Sequence, residues 1–112
     1  MAKLEDFHFR RNKGNALISQ ASNLILNRFL TNDTDAYREG AIPVKYKEML
    51  GLVASMVLQC KDCITYHIEQ CHKLGVTKEE LIEAMNIALL VGGSIIIPNL
   101  RYALEIIEEL NK

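Results

Sequence analysis

The stretch Leu74-Gly75-Val76-Thr77-Lys78-Glu79-Glu80 ends one helix and begins another. Glycine adopts the left-handed backbone that closes a helix, so Gly75 marks a C-terminus. Two residues later Thr77 can accept an N–H from the first turn, while Glu80 can reach back to the N–H of Thr77. A stop followed at once by a capped start is the signature of helices joined by a short turn. Downstream, Leu81, Ile82, Met85, Ile87, Ala88, Leu89, Leu90 and Val91 extend the second of these helices until Gly92-Gly93 interrupts it. This helix is apolar on more than one side. A surface helix of a small monomer normally keeps a polar face, so the pattern suggests burial against another subunit or the place of the central helix in a monomer.

Working back from Gly75, a helix is expected from about Cys60–Lys61 to Leu74. Another is expected from just past Pro43 to Leu58, its apolar side carrying Met49, Leu50, Leu52, Val53, Met56 and Val57. The segment 31–43 holds Asn32, Asp33, Thr34, Asp35, Gly40 and Pro43, which favour turns; it reads as a connector with a short helical turn around Tyr37. Leu17, Ile18, Ala21, Leu24, Ile25, Leu26 and Phe29 recur at three- and four-residue spacing and predict one helix over 14–30. Residues 1–13 read as a polar arm with Phe7 and Phe9 as anchors. Forward from Gly93, Pro98 suits a first helical turn, and Leu100, Ala103, Leu104, Ile107 and Leu110 continue a final helix. No alternating stretch predicts a strand. The fold class is all-α, with about five main helices in a single domain over 14–112.

Composition narrows the function. The 112 residues are 49% apolar and 24% charged, with net charge −1. That balance gives no electrostatic case for nucleic acid or an anionic membrane. No apolar run approaches the ~20 residues of a membrane span, and residues 1–13 lack the apolar core of a signal peptide. The expected location is the cytoplasm. Three cysteines, Cys60, Cys63 and Cys71, are too few and too odd in number for a secreted disulfide scaffold. In a reducing compartment a Cys-x-x-Cys pair points to redox or metal chemistry.

The segment Cys60-Lys61-Asp62-Cys63-Ile64-Thr65-Tyr66-His67 carries that chemistry. Cys63 and His67 are four apart and share a helix face. Cys60 lies at the expected helix start, where the dipole and unsatisfied N–H groups favour a thiolate. A pair at this spacing can close a small disulfide and so carry two electrons reversibly. His67, with an ordinary pKa near neutrality, is the natural proton carrier. Glu48, twelve residues before Cys60, is by position alone a first-turn carboxylate; spacing does not bring it to the cysteines. Cys71 lies on the His67 face and reads as a small core residue. His8 and His72 read as surface residues. Cys60, Cys63 and His67 could supply three zinc ligands, but Cys71 is about 16 Å from Cys60 along an ideal helix, too far to be the fourth.

These residues, together with Tyr37-Arg38-Glu39-Gly40-Ala41-Ile42-Pro43, Lys47-Glu48-Met49-Leu50, the Leu74–Glu80 stretch and Ala88-Leu89-Leu90-Val91-Gly92-Gly93, resemble the alkylhydroperoxidase D-like family of the carboxymuconolactone decarboxylase superfamily. The resemblance spans roughly Phe29 to Leu110. It implies an all-helical bundle whose core is completed across subunits, commonly in trimers or hexamers. It implies a thiol-dependent peroxidase or disulfide oxidoreductase acting on alkyl hydroperoxides, with no bound cofactor. Glu48 would be the relay carboxylate, His67 the relay imidazole, and Cys60 and Cys63 the redox pair. A thioredoxin-like protein or a lipoyl dithiol would be the reductant. The family pattern makes Cys63 peroxidatic and Cys60 resolving, whereas the helix-end argument alone favours Cys60 as the activated thiol. One departure stands out: some peroxidase members have His immediately before the second cysteine, and here it is Asp62, whose carboxylate should raise the Cys63 thiol pKa. The alternatives are a decarboxylase of the same superfamily, which needs no cysteine pair, a zinc-binding helical module, and an inert helical assembly protein.

Overall fold

A computed structural model describes residues 2–112. They form six α-helices and no strand among the described residues: α1 (Ala2–Gln20), α2 (Leu24–Ala36), α3 (Val44–Val57), α4 (Lys61–Lys73), α5 (Lys78–Gly92) and α6 (Ile97–Leu110), with a 3-10 turn at Ser94–Ile96 between the last two. The all-α class expected from the sequence is what the structure has. The chain clusters into two compact units, Met1–Val44 and Lys45–Lys112. The boundary expected at Gly14 lies inside α1.

In the first unit the expected 14–30 helix is two helices. Ser22 takes a positive φ of 50°, and Asn23, in extended conformation, caps α2 by accepting the Leu26 N–H at 3.0 Å. Asparagine is among the best capping residues, and its local bond ends one helix and starts the next. The segment expected as a connector is helical as far as Ala36. Thr31 and Thr34 turn their hydroxyls back onto the carbonyls of Asn27 and Leu30, at 3.0 and 3.1 Å. Those polar side chains are thereby satisfied within the helix instead of competing with it.

The second unit holds most of the core and the residues of interest. α4 packs along α6, and Leu52, Met56, Ile64, Ile68, Met85 and Ile106 are fully or almost fully buried. At Gly92 an added Cβ would lie 2.6 Å from Cγ1 of Ile96, so any side chain there would force the buried Ile96 to move. Pro98 occupies the first turn of α6, as its fixed φ and missing N–H favour.

Two successive junctions share one construction. α3 ends with Gln59 in the left-handed region (φ 60°). The Cys60 N–H bonds to Ser55 O at 3.0 Å and the Gln59 N–H to Met56 O at 3.1 Å. α4 ends with Gly75 at φ 83°, Val76 N–H on Cys71 O at 3.0 Å and Gly75 N–H on His72 O at 3.1 Å. Both are Schellman motifs, in which two N–H groups past the helix satisfy its last carbonyls. Each lets the next helix begin at once: Cys60 is the N-cap of α4, and Thr77 that of α5. The Thr77–Glu80 capping box forms in both directions, at 2.9 and 3.1 Å.

Candidate active site

The tight α3–α4 junction places both cysteines at the start of α4. Cys60, as N-cap, turns its Sγ toward the first-turn backbone and accepts the Cys63 N–H at 3.3 Å. The two cysteines are joined as a disulfide, their Cα atoms 5.2 Å apart. Cys60 is half-buried and Cys63 exposed. The first turn thus supplies the oriented N–H groups and the positive dipole end that stabilise sulfur as a thiolate once the bond is reduced.

One turn beyond Cys63, His67 is buried, and its Nδ1 lies 2.7 Å from Oε1 of Glu48. Spacing alone left Glu48 unplaced. The structure brings it to His67, across the three-residue junction between α3 and α4. Glu48 is only 5% exposed, so the solvated first-turn reading does not hold: its carboxylate points into the unit. With the carboxylate on Nδ1, that nitrogen carries the proton and Nε2 is left as the basic nitrogen; the tautomer follows from the partner. Tyr66 packs against the imidazole edge-on, ring centroids 5.3 Å apart.

Cys71 is fully buried on the same helix face. Burial pushes its thiol up from an ordinary 9.0 to about 12, and the nearby Glu48 charge adds to the effect. It is a neutral core group at any physiological pH. His72 and His8 are exposed. Asp62 is exposed in the first turn of α4 beside Cys63. Cys60, Cys63 and His67 do not assemble into a metal site, and among the described residues no group of three or more His, Cys, Asp or Glu side chains is placed to hold a metal ion.

Sequence reasoning passed over Tyr102 and Thr65. Tyr102, on α6, carries the Lys61 ammonium over its ring at 4.3 Å, and its hydroxyl lies 3.4 Å from the Thr65 Oγ1. Thr65 also donates to the Lys61 carbonyl at 2.9 Å. This small cluster ties the first turn of α4 to α6. No sequence signal marks Tyr102, which sits between residues of the α6 apolar stripe.

A model of the carboxymuconolactone decarboxylase family matches residues 24–109. The chain belongs to this family. The matched segment runs from α2 to α6 and contains all four candidate site residues. A crystal structure of a Thermotoga maritima protein superposes with a TM-score of 0.92 and 46% identity, covering 96% of this chain and 94% of that one. A second crystal structure from T. maritima, of a carboxymuconolactone decarboxylase family protein suggested to take part in an antioxidative response, gives 0.90 and 47% over 95% and 90% of the two chains. A family member from Legionella pneumophila, crystallised in its apo form, gives 0.83 and 27% over 99% and 96%. An uncharacterized protein of Cupriavidus necator is 27% identical over 86 residues, 77% of this chain and 74% of its own length.

A disulfide at a helix N-terminus can accept two electrons and two protons, and His67, held by Glu48, lies one turn further along the same helix.

Proposed function

We propose that this protein is an alkylhydroperoxidase D-like thiol peroxidase and disulfide oxidoreductase. The observation that carries this reading is the Cys60–Cys63 disulfide capping α4, with the buried His67–Glu48 pair on the same helix. In the reduced protein His67 Nε2 takes the Cys63 proton, and Glu48 holds the imidazole in the required tautomer. The Cys63 thiolate attacks the terminal peroxide oxygen; the O–O bond breaks and the alcohol leaves with the proton from His67. Cys63 becomes a sulfenic acid. Cys60 attacks its sulfur, water leaves, and the disulfide forms. A thioredoxin-like or lipoyl dithiol then returns two electrons by exchange. No resident cofactor takes part.

The substrate class is hydroperoxides, and the site of action the cytoplasm. The protein acts as a homo-oligomer, a trimer or hexamer, which the exposed Leu58, Leu90 and Val91 support (79%, 83% and 72% exposed). No helix among the described residues is long and apolar enough to cross a membrane.

The test is mass spectrometry of the reduced protein after one equivalent of cumene hydroperoxide, beside peroxide consumption driven by dihydrolipoamide. The expected result is loss of two hydrogens in wild type and none in Cys60→Ser or Cys63→Ser. Cys60→Ser should trap a sulfenic acid on Cys63. Peroxide that leaves the thiols untouched, or decarboxylase activity that survives replacement of both cysteines, would overturn the reading.

A further inference from the structure

The two halves of the disulfide are not equivalent, and the inequality has a direction. Cys60 is the N-cap of α4; it is half-buried, and its Sγ accepts the Cys63 backbone N–H at 3.3 Å. Its own N–H is fixed on Ser55 O at 3.0 Å by the Schellman motif that ends α3. Cys63 is exposed and shares its helix face with His67. Two factors decide which sulfur of a disulfide an external thiolate attacks: access to the sulfur, and stability of the thiolate that leaves.

Both factors select the same polarity here. We infer that the external reductant attacks Cys63 Sγ and that Cys60 is the leaving thiolate. This inference rests on the redox reading of the pair. The incoming thiolate forms a bond to Cys63 Sγ, the Cys60–Cys63 bond breaks, and the electron pair goes to Cys60 Sγ. The departing sulfur keeps the N–H it already accepts and sits at the positive end of the α4 dipole. The second thiol of the reductant, deprotonated, then attacks the reductant's own sulfur in the mixed disulfide and expels the Cys63 thiolate. His67, on the Cys63 face, is positioned to receive the proton released there. One dithiol is oxidised to a disulfide and the protein pair gains two electrons and two protons. Attack at Cys60 would instead require approach to the half-buried residue and would expel a thiolate without the N-cap bond.

The polarity reverses the usual expectation for Cys-x-x-Cys pairs, in which the N-terminal cysteine meets the external thiol. The reversal has a structural cause. The Schellman motif at Gln59 holds the Cys60 backbone against the end of α3, so the side chain that stays open to solvent is the one a turn further on.

The sequence supplies a direct test, because Lys61 separates the two cysteines in a tryptic digest. Protein oxidised with diamide is treated with limiting 2-mercaptoethanol, quenched in acid with N-ethylmaleimide, and digested. Residues 48–61 carry Cys60; residues 62–73 carry Cys63 and Cys71. A Cys71→Ala background makes the second peptide unambiguous. The expected result is mercaptoethanol on Cys63 and maleimide on Cys60, in roughly tenfold excess over the reverse pattern. Mercaptoethanol on Cys60, or an even split, would overturn the inference. The assay uses no peroxide. A protein that passes it yet forms no disulfide with hydroperoxide loses the peroxidase reading and keeps this polarity; the opposite pair of results loses the polarity alone.

Discussion

At position 67 the imidazole keeps Nδ1 on a buried carboxylate 2.7 Å away, and in the proposed mechanism its other nitrogen exchanges a proton with Cys63. Replacing His67 with Ala removes that exchange and leaves Glu48 buried without it. The Cys63 thiol, measured in Cys60→Ser by alkylation rate against pH, should then titrate at about the ordinary 8.5 or above, and peroxide reactivity should fall roughly 10²- to 10⁴-fold. An unchanged alkylation profile would remove His67 from the mechanism. The same variant should lose on the order of 3 kcal/mol of stability in urea, because breaking a buried pair strands its partner. Cys71 gives a separate, pH-dependent prediction. Its thiol is held neutral, with a pKa raised from 9.0 to about 12. The stability this group contributes is therefore complete below pH 9 and is lost as pH rises through about 12. The urea midpoint of the oxidised protein should fall more steeply over that interval in wild type than in Cys71→Ala; parallel curves would show that Cys71 does not titrate with unfolding. At this scale the cysteines and His67 were legible in the sequence because their spacing is local to one helix. The partnership of Glu48 with His67 was not, since the two residues are nineteen apart on different helices and meet only through the tertiary fold.

Between residue and fold lie the junctions, and the two Schellman motifs show what makes one visible and the other silent. Gly75 announces itself, because glycine is the residue that takes φ of 83° without a Cβ penalty. Gln59 takes φ of 60° with no such mark, because the hydrogen bonds of Cys60 and Gln59 to Ser55 and Met56 hold it there. The strain this implies is measurable. Gln59→Gly should stabilise the protein by up to about 1 kcal/mol, read as a raised urea midpoint with an unchanged slope, and Gly75→Ala should destabilise it by a similar amount. A destabilised Gln59→Gly would mean that its side chain contributes more than its backbone costs. At the neighbouring junction, Thr77→Ala should cost about 1 kcal/mol through the lost cap. The Glu80 carboxyl is held below its ordinary 4.5, chiefly by the Thr77 backbone N–H, so the contribution of the capping box is present above pH 4.5 and fades as pH falls through that lowered value. The same logic explains the start of the chain. The apolar spacing over 17–29 is helical on either side of a break at residues 21–23, where the Asn23 cap starts α2, and α2 continues through the turn-favouring residues 31–36.

At the scale of the whole chain, many large apolar side chains lie exposed in both units. In the second unit Leu50, Leu58, Ile87, Leu90 and Val91 are between 55% and 83% exposed, while on α5, which carries the last three, Leu81, Met85 and Ala88 are buried. In the first unit α2 buries none of its residues, and Leu24, Ile25 and Phe29 are 59% to 69% exposed. Scattered apolar residues on a surface are ordinary; contiguous ones on two sides of a helix are not. The excess of apolar residues on α5 was legible in the sequence as a helix without a clear polar face. The structure separates the residues that fill the unit's own core from those left over. On the proposed reading a second copy of this chain covers these residues, and the net charge of only −1 offers little opposition to association. Light scattering behind a sizing column should therefore give a mass of three or six times 12.7 kDa. Leu90→Glu combined with Val91→Lys alters only exposed positions of α5, so the variant should fold with unchanged helicity and elute at a lower mass. A wild-type protein that runs at 12.7 kDa at micromolar concentration would show instead that this surface stays open, and would leave the Cys60–Cys63 chemistry to a single chain.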